Sequence, residues 1–260
     1  MRDIFQKIIT KRQPPQQHLR TNLDEGSELD DYVSVISGGI TGKFPEKIWQ
    51  DFERVEKPAR MVGNFDVTLV CDRSGSMEGE KAHQQRIAVG LFLEMLREFS
   101  IDLENVHLSP ERDLNVQTEV WGFGGESEVG IIKPLGKELS TKDRVYAYKT
   151  LGSTPGWETL DYRPLQEISN SITQDTIEKI QNGEYRKIVI VITDGISSNP
   201  ADLQRAQESL IEKGVIVVGI GLGNDADDIV KNYKKGILCP SPHSLGAVTA
   251  DLLAETLEQL

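Results

Sequence analysis

Three almost uninterrupted apolar runs constrain the fold of this chain more than any other feature. They cover Phe65–Cys71, Ile188–Thr193 and Val215–Ile220, and all three are rich in β-branched residues. Runs that are apolar at nearly every position are typical of strands buried on both faces of a parallel sheet. Segments with apolar residues at helical spacing lie between them. The chain from residue 63 onward is therefore predicted to be an α/β domain with a doubly wound, mostly parallel central sheet flanked by helices.

Further elements complete this prediction. Val116–Phe123 is a further strand, and Val129–Lys133 is short enough to pair beside it as an edge strand across Gly124-Gly125. Apolar stripes at helical spacing predict helices around residues 87–99, 203–210 and 245–260. The segment 158–182 is also predicted to be helical, with Pro164 in its first turn or at a kink.

The first apolar run ends in a cluster of polar oxygens, Asp72-Arg-Ser74-Gly-Ser76. Alternate residues of an extended chain point to the same side, so one carboxylate and two hydroxyls are presented together. Ligands that are all oxygen suit a hard divalent cation such as Mg2+. The triplet alone is weak evidence, because it arises by chance in roughly one chain of this size in ten.

Two other segments supply oxygens that strengthen the case for a metal site. The second apolar run ends in Asp194, followed by Gly195, and the loop 152–156 before a helical segment carries the Thr154 hydroxyl, with Ser153 as the alternative. In open parallel sheets, ligands bind beyond the carboxyl ends of the strands, where the strand order reverses. Asp72 and Asp194 are both predicted to lie at that edge of the sheet.

The residues from Asp72 to Lys81, then Thr154, then Thr193-Asp194-Gly195, resemble the von Willebrand factor A family over about residues 63–260. The resemblance implies a Rossmann-like fold with a complete metal-ion-dependent adhesion site. Its implied ligands are Asp72, Ser74, Ser76, Thr154 and Asp194, around Mg2+ or alternatively Mn2+ or Ca2+. It also implies a protein-binding module in which an Asp or Glu of a partner protein caps the metal. The chain is similar to soluble modules of this family that work with AAA+ ATPases, so the resemblance also implies such an ATPase as a partner.

Two features depart from the family pattern. The second loop continues with Trp157-Glu158-Thr159-Leu160-Asp161, which is bulkier and more acidic than the usual small residues, and Arg73 places a cation between two ligands. Trp157 has two interpretations at this point. It is either an aromatic anchor on a partner-binding surface or a residue of the core.

The alternative function is a metal-dependent hydrolase or phosphatase that uses Asp72 and Asp194 around Mg2+. An aspartate nucleophile needs a second carboxylate two residues later as its acid or base, and that position is Ser74. A serine nucleophile needs an activating base, and no histidine has an obvious route to one. We therefore expect the chain not to be an enzyme.

Charge and cysteine content limit the partners and the compartment. The net charge of −12 disfavours nucleic acid, whose binding depends on neutralising phosphates. Cys71 is predicted to be a buried thiol, although a disulfide with Cys239 remains open. The N-terminus lacks the pattern of a signal peptide, and no run approaches the roughly 20 apolar residues that span a bilayer. A cytoplasmic protein without membrane contact is expected.

Residues 1–62 differ from the rest of the chain. A basic stretch is followed by an acidic run, and Pro14-Pro15 and Gly38-Gly39 interrupt any pattern. We interpret this segment as an N-terminal arm or as part of something larger, with a short helix over 47–55, and residues 63–260 as the main domain.

Overall fold

The computed structural model describes residues 63–105, 113–223 and 231–257, together with the backbone of three short strands nearer the N-terminus. These strands are β1 (Leu19–Leu23), β2 (Glu28–Leu29) and β3 (Trp49–Phe52), which form an antiparallel sheet in the order β1-β3-β2 within a unit of residues 14–59. The predicted helix over 47–55 is therefore wrong. Trp49 and Phe52 have helical spacing, but the backbone of this segment pairs with a strand on each side. The rest of the N-terminal segment lies outside the described residues, and its role stays a prediction.

The main unit is built on a six-stranded sheet in the order β6-β5-β4-β7-β8-β9. Neighbouring strands are parallel except β5 and β6, which form the predicted antiparallel edge pair. This confirms the predicted fold class. The strands are β4 (Asn64–Asp72), β5 (Asn115–Phe123), β6 (Gly130–Gly136), β7 (Tyr185–Thr193), β8 (Ile216–Leu222) and β9 (Gly236–Cys239), of which β9 was not predicted.

Six helices flank this sheet in the described residues: α1 (Glu80–Asn105), α2 (Thr141–Leu151), α3 (Tyr162–Ser171), α4 (Gln174–Gln181), α5 (Pro200–Glu212) and α6 (Leu245–Leu257). The predicted helical segment 158–182 is divided in two, because Thr173 accepts a hydrogen bond from the Thr176 N–H and caps a new helix. Pro164 lies in the first turn of α3, as expected. Helix α2 was not predicted, although Ser140 and Asp143 form a capping box at its start.

The central strand β4 separates two hydrophobic cores. Leu69 belongs to the core that includes Phe92 of α1 and Leu252 of α6, whereas Val70 belongs to the core that includes Leu165 of α3 and Leu203 of α5. Burial on both faces explains why residues 65–71 of β4 are mostly apolar, while the two polar residues among them, Asp66 and Thr68, are hydrogen-bonded to Tyr185 and Glu119.

The structure also decides the state of the two cysteines. Cys71 and Cys239 are both buried free thiols, so no disulfide joins them. Within the described ranges, no helix has the length and apolarity needed to cross a membrane.

The topology determines where a site can form. Strand β4 pairs with β5 on one side and with β7 on the other, so the chain winds in opposite directions from it. The crevice beyond the carboxyl ends of β4 and β7 lies at this switch point, where α/β sheets bind ligands. Asp72 and Thr193 are the last residues of these two strands.

Candidate metal centre

Asp72 is the most firmly held carboxylate of the site. It is completely buried, and its Oδ1 accepts a hydrogen bond of 2.7 Å from the Ser74 N–H. Its Oδ2 accepts one of 2.6 Å from the Thr193 hydroxyl, and its main-chain oxygen accepts one of 2.9 Å from Gln85 Nε2. Burial raises the pKa of Asp72 to about 6, although the bonds from Thr193 and Ser74 lower it and the charge of Asp194 raises it further.

A chain of hydroxyl groups links the loop after β4 to the loop after β7. The Ser76 hydroxyl donates a hydrogen bond of 2.7 Å to Oδ1 of Asp194, and the Ser74 and Ser76 hydroxyl oxygens are 3.0 Å apart. Because a hydroxyl has one proton to donate, Ser74 is the donor to Ser76. Asp72, Ser74, Ser76 and Asp194 therefore form one hydrogen-bonded cluster, and their role as metal ligands stays a prediction.

Lys81 occupies the other side of Asp194. Its ammonium contacts Oδ2 of Asp194 and lies 3.4 Å from the main-chain oxygen of Ser76. The Asp194 side chain has no exposed surface, whereas that of Lys81 is 35% exposed. The sequence motif contains Lys81, but sequence reasoning assigned it no contact with the site.

The loop that carries Thr154 is held against the loop after β4 through its backbone. Ser74 and Gly156 form an isolated parallel bridge, and the Gly75 N–H donates a hydrogen bond of 2.7 Å to the Gly156 oxygen. A Cβ atom on Gly156 would lie 2.6 Å from Cα of Gly124, so only glycine fits this approach without a shift of backbone.

Thr154 itself is half-buried on this loop. Its hydroxyl makes no hydrogen bond with any residue that the structure describes, so it lies on the adjoining loop but outside the bonded cluster. Ser153, the alternative, is exposed, and its main-chain oxygen accepts a hydrogen bond from Arg73.

Arg73 faces the protein, not the space above the site. Its Nε donates hydrogen bonds to the main-chain oxygens of Thr150, at 3.0 Å, and Ser153, at 3.2 Å. Burial lowers the pKa of Arg73, with the nearby charge of Glu128 opposing that effect. Arg73 therefore anchors the end of α2 and the loop that follows, and its position between two predicted ligands in the sequence does not bring its charge to them.

Asp161 has a structural role in the second loop that sequence reasoning missed. Asp161 is buried and accepts hydrogen bonds from the Ser197 hydroxyl and, at 2.6 Å, from the Tyr233 hydroxyl. Burial raises the pKa of both Asp161 and Tyr233. The ring of Tyr233 lies against Gly219 of β8, where an added Cβ would be 2.3 Å from the ring. Asp161 thus ties the second loop to the third loop and to the segment before β9.

Two large apolar side chains project from the loops that this network joins. Trp157 on the second loop is 97% exposed and Ile196 on the third loop is 57% exposed. The Thr159 N–H donates to the Ser198 hydroxyl at 3.0 Å, and the Ser198 N–H donates to the Thr159 oxygen at 2.9 Å. Because the Trp157 side chain is exposed, its interpretation as a residue of the core is wrong.

The donor set fits a hard divalent cation. Asp72 and Asp194 are connected through the backbone N–H of Ser74 and the hydroxyls of Ser74 and Ser76, and their side chains offer only oxygen atoms as ligands. In the part of the chain that the structure describes, no group of three or more His, Cys, Asp or Glu residues is placed to bind a metal. A cation here would thus depend on hydroxyl ligands. The two buried carboxylates outnumber the single lysine beside them, so the site keeps a negative charge that a cation would neutralise.

These features define an α/β domain with an oxygen-lined site at the switch point of its sheet. The family model of the von Willebrand factor type A domain matches residues 66–236. The chain therefore belongs to this family, whose members are often metal-dependent protein-binding modules.

One relative resembles the chain at low sequence identity. An uncharacterized protein of Treponema pallidum (strain Nichols) is 25% identical over 204 residues, which is 75% of this chain and 34% of that protein. The chain thus spans about a third of the length of this relative.

Three solved structures of proximal thread matrix protein 1 from the mussel byssus are similar to this chain. One gives a TM-score of 0.50 at 17% identity, over 75% of this chain and 47% of that one. A second crystal form gives 0.52 at 16%, over 76% and 47%. A third, described as having a zinc-occupied MIDAS motif, gives 0.50 at 19%, over 76% and 49%. At these identities the likeness shows the fold alone.

Proposed function

We propose that this chain is a metal-dependent protein-binding module whose partner supplies an Asp or Glu to a divalent cation. Asp72, Ser74, Ser76, Thr154 and Asp194 would hold the cation. When bound, the ion supplies positive charge and an open coordination position to which a carboxylate can add. The observation that carries the proposal is the hydrogen-bonded cluster in which Ser76 joins the Asp72 loop to Asp194.

The chemistry of the ligands supports Mg2+ as the cation, with Mn2+ or Ca2+ as alternatives. Carboxylate and hydroxyl oxygens suit these hard ions, whereas zinc sites are usually rich in imidazole and thiolate. One mussel protein structure is described as having a zinc-occupied MIDAS motif, so zinc belongs in the test.

The exposed side chains around the site support a protein as the ligand. Trp157 and Ile196 offer apolar contact area on the two loops that Asp161, Thr159 and Ser198 hold together. Exposed aromatic residues beside a polar centre are typical anchors of protein interfaces. We expect the partner to carry an apolar side chain near its carboxylate. An AAA+ ATPase complex in the cytoplasm, without nucleic acid or membrane, remains part of the proposal on the family resemblance.

A hydrolase or phosphatase is less well supported. Ser74 stands where an aspartate nucleophile at Asp72 would need its acid or base. Of the histidines whose side chains are described, His83 bonds to Arg86 and His243 lies near Glu80, and neither contacts the Asp72 cluster. An Mg2+-dependent phosphatase activity that disappears in Asp72→Asn would favour the enzyme instead.

Calorimetric titration with Mg2+, Mn2+ and Zn2+ tests the proposal. The variants are Asp194→Ala and Asp194→Asn, and the control is Asp175→Ala, which removes an exposed carboxylate paired with Lys179 on α4. We expect cation binding to be lost in both Asp194 variants and kept in the control, and to tighten when a short peptide containing Asp is present. Equal binding in all four proteins would contradict the proposal.

A further inference from the structure

Lys81 brings a positive charge to the candidate metal centre. Its ammonium contacts Oδ2 of Asp194, while Oδ1 of the same carboxylate accepts the Ser76 hydrogen bond. Because the Asp194 side chain is fully covered and Lys81 is one third exposed, the ammonium reaches from the solvent side to a carboxylate that the fold otherwise encloses. The contact closes one of the two oxygens through which Asp194 could act on a cation.

We infer that Lys81 sets the ligand preference of the site: it competes with the divalent cation for Asp194, and it favours an anionic ligand once the cation is bound. This inference rests on the proposed function and deepens it. It means that Lys81, which does not itself bind the cation, determines whether the site prefers a carboxylate or a neutral ligand.

Formal charges give the reason. Asp72 and Asp194 contribute two negative charges and Lys81 one positive charge, so the site with Lys81 and without a metal is negative by one. A divalent cation makes it positive by one, and a partner carboxylate then brings it to neutrality. Without Lys81, the site and a divalent cation are already neutral, and an added carboxylate would leave a negative charge. Unit charges in direct contact interact strongly even where solvent partly reaches them, so a single lysine can change the affinity for a further charged ligand.

Other cations near the site do not have this role. Arg73 is turned toward the main-chain oxygens of Thr150 and Ser153. Within the described residues, Lys81 is the cation that forms an ion pair with a carboxylate of the site. Its charge is therefore the one that a substitution can remove without changing a ligand.

Removing the charge should change the two affinities in opposite directions. Lys81→Met keeps an unbranched apolar stem of the same length but loses the terminal ammonium. We expect the cation to bind about tenfold more tightly to this variant, because its competitor for Asp194 is gone. We expect a carboxylate to bind the loaded variant about fivefold more weakly. A lysine that only braced Asp194 would, on removal, weaken both affinities together.

The experiment compares wild type, Lys81→Met, Lys81→Arg and the control Lys179→Met, which removes a lysine that pairs with Asp175 on the exposed face of α4. Mn2+ is the metal probe, titrated by calorimetry. Acetate is the carboxylate probe, followed through the relaxation of its methyl protons by bound Mn2+. Urea unfolding in chelator gives a readout without metal, in which Lys81→Met should be less stable because the covered Asp194 carboxylate loses its cation.

The result expected is tighter Mn2+ and weaker acetate binding in Lys81→Met, with wild-type behaviour in Lys179→Met and Lys81→Arg. Suppose that wild type binds Mn2+ and that Lys81→Met binds both probes as well as wild type does, or both less well than wild type. The inference is then overturned and the proposed function stands. If wild type binds no Mn2+ but Lys81→Met does, the competition is supported and the proposed function fails for the unmodified chain. If neither binds Mn2+, both are overturned.

Discussion

The Ser76 hydroxyl donates a hydrogen bond of 2.7 Å to Oδ1 of Asp194, although the two residues are 118 positions apart in the chain. The bond forms because β4 and β7 are parallel neighbours, with Cys71 opposite Ile192, so the loops that follow them start side by side. The candidate site therefore exists only when the sheet is paired. Any cation bound by these residues should stabilise the folded state by mass action.

Stability without metal should depend on the ionisation of Asp72. Burial raises the pKa of Asp72 to about 6 in the folded protein, whereas the unfolded chain has a value of about 3.9. Between these values the folded state binds more protons, so the contribution of Asp72 to stability falls as the pH rises from about 4 to about 6 and is constant above. We compare the free energy of unfolding of Asp72→Asn with that of wild type in chelator. We expect this difference to shift in favour of the variant by about 3 kcal/mol between pH 3.5 and pH 7.

Urea unfolding of both proteins across this pH range measures that difference. Asp66 and Asp161 also have a raised pKa, but their effect is common to both proteins and cancels. Saturating Mg2+ should reverse the order at pH 7, because only wild type keeps the carboxylate. Parallel stability curves for the two proteins in chelator would show that Asp72 is not the titrating group.

Gly156→Ala should disturb the second loop. An added Cβ would lie 2.6 Å from Cα of Gly124 and 2.8 Å from the Gly125 nitrogen, and both are backbone atoms that cannot rotate away. We expect a loss of about 1–3 kcal/mol in the free energy of unfolding, together with weaker cation binding. The matched control is Gly130→Ala, at a position with no atom within 4 Å of the added Cβ. Equal behaviour of the two variants would contradict the tight approach of the loops.

Tyr233→Phe tests the network that holds the second and third loops together. The substitution keeps the ring against Gly219 but removes the donor to the buried Asp161 carboxylate. Leaving a buried acceptor short of a partner costs about 1–3 kcal/mol, and urea denaturation should show a loss of this size. The exposed Tyr146→Phe is the control and should leave the stability unchanged. Unaltered stability in Tyr233→Phe would mean that the Ser197 hydroxyl alone satisfies Asp161.

Trp157 should report solvent and partner contact directly. Its side chain is 97% exposed, so its fluorescence should be red-shifted and strongly quenched by acrylamide. Difference spectra between wild type and Trp157→Phe isolate this signal from the other two tryptophans. The substitution should change the free energy of unfolding by less than about 0.5 kcal/mol, since an exposed side chain contributes little to packing. A blue-shifted, unquenched Trp157 component would contradict the exposed position.

Local pattern explains which parts of the fold could be predicted. The β4, β7 and β8 strands were evident because burial on both faces favours apolar residues at most positions. Helix α2 was missed because only Ala147 and Leu151 of its residues are buried, which leaves no apolar stripe to detect. Strand β9 is four residues long and only Cys239 in it is buried.

The sequence by itself determined the α/β class with its mostly parallel sheet, most of the strands and helices, and the oxygen-bearing residues at the ends of β4 and β7. These follow from periodicity and from the rule that parallel strands end at one edge. Only the tertiary structure decided that Lys81 contacts Asp194, that Asp161 receives the Tyr233 hydroxyl, that Arg73 turns inward and that Trp157 faces solvent. Such pairings depend on how loops from distant positions meet, and no local pattern encodes that meeting.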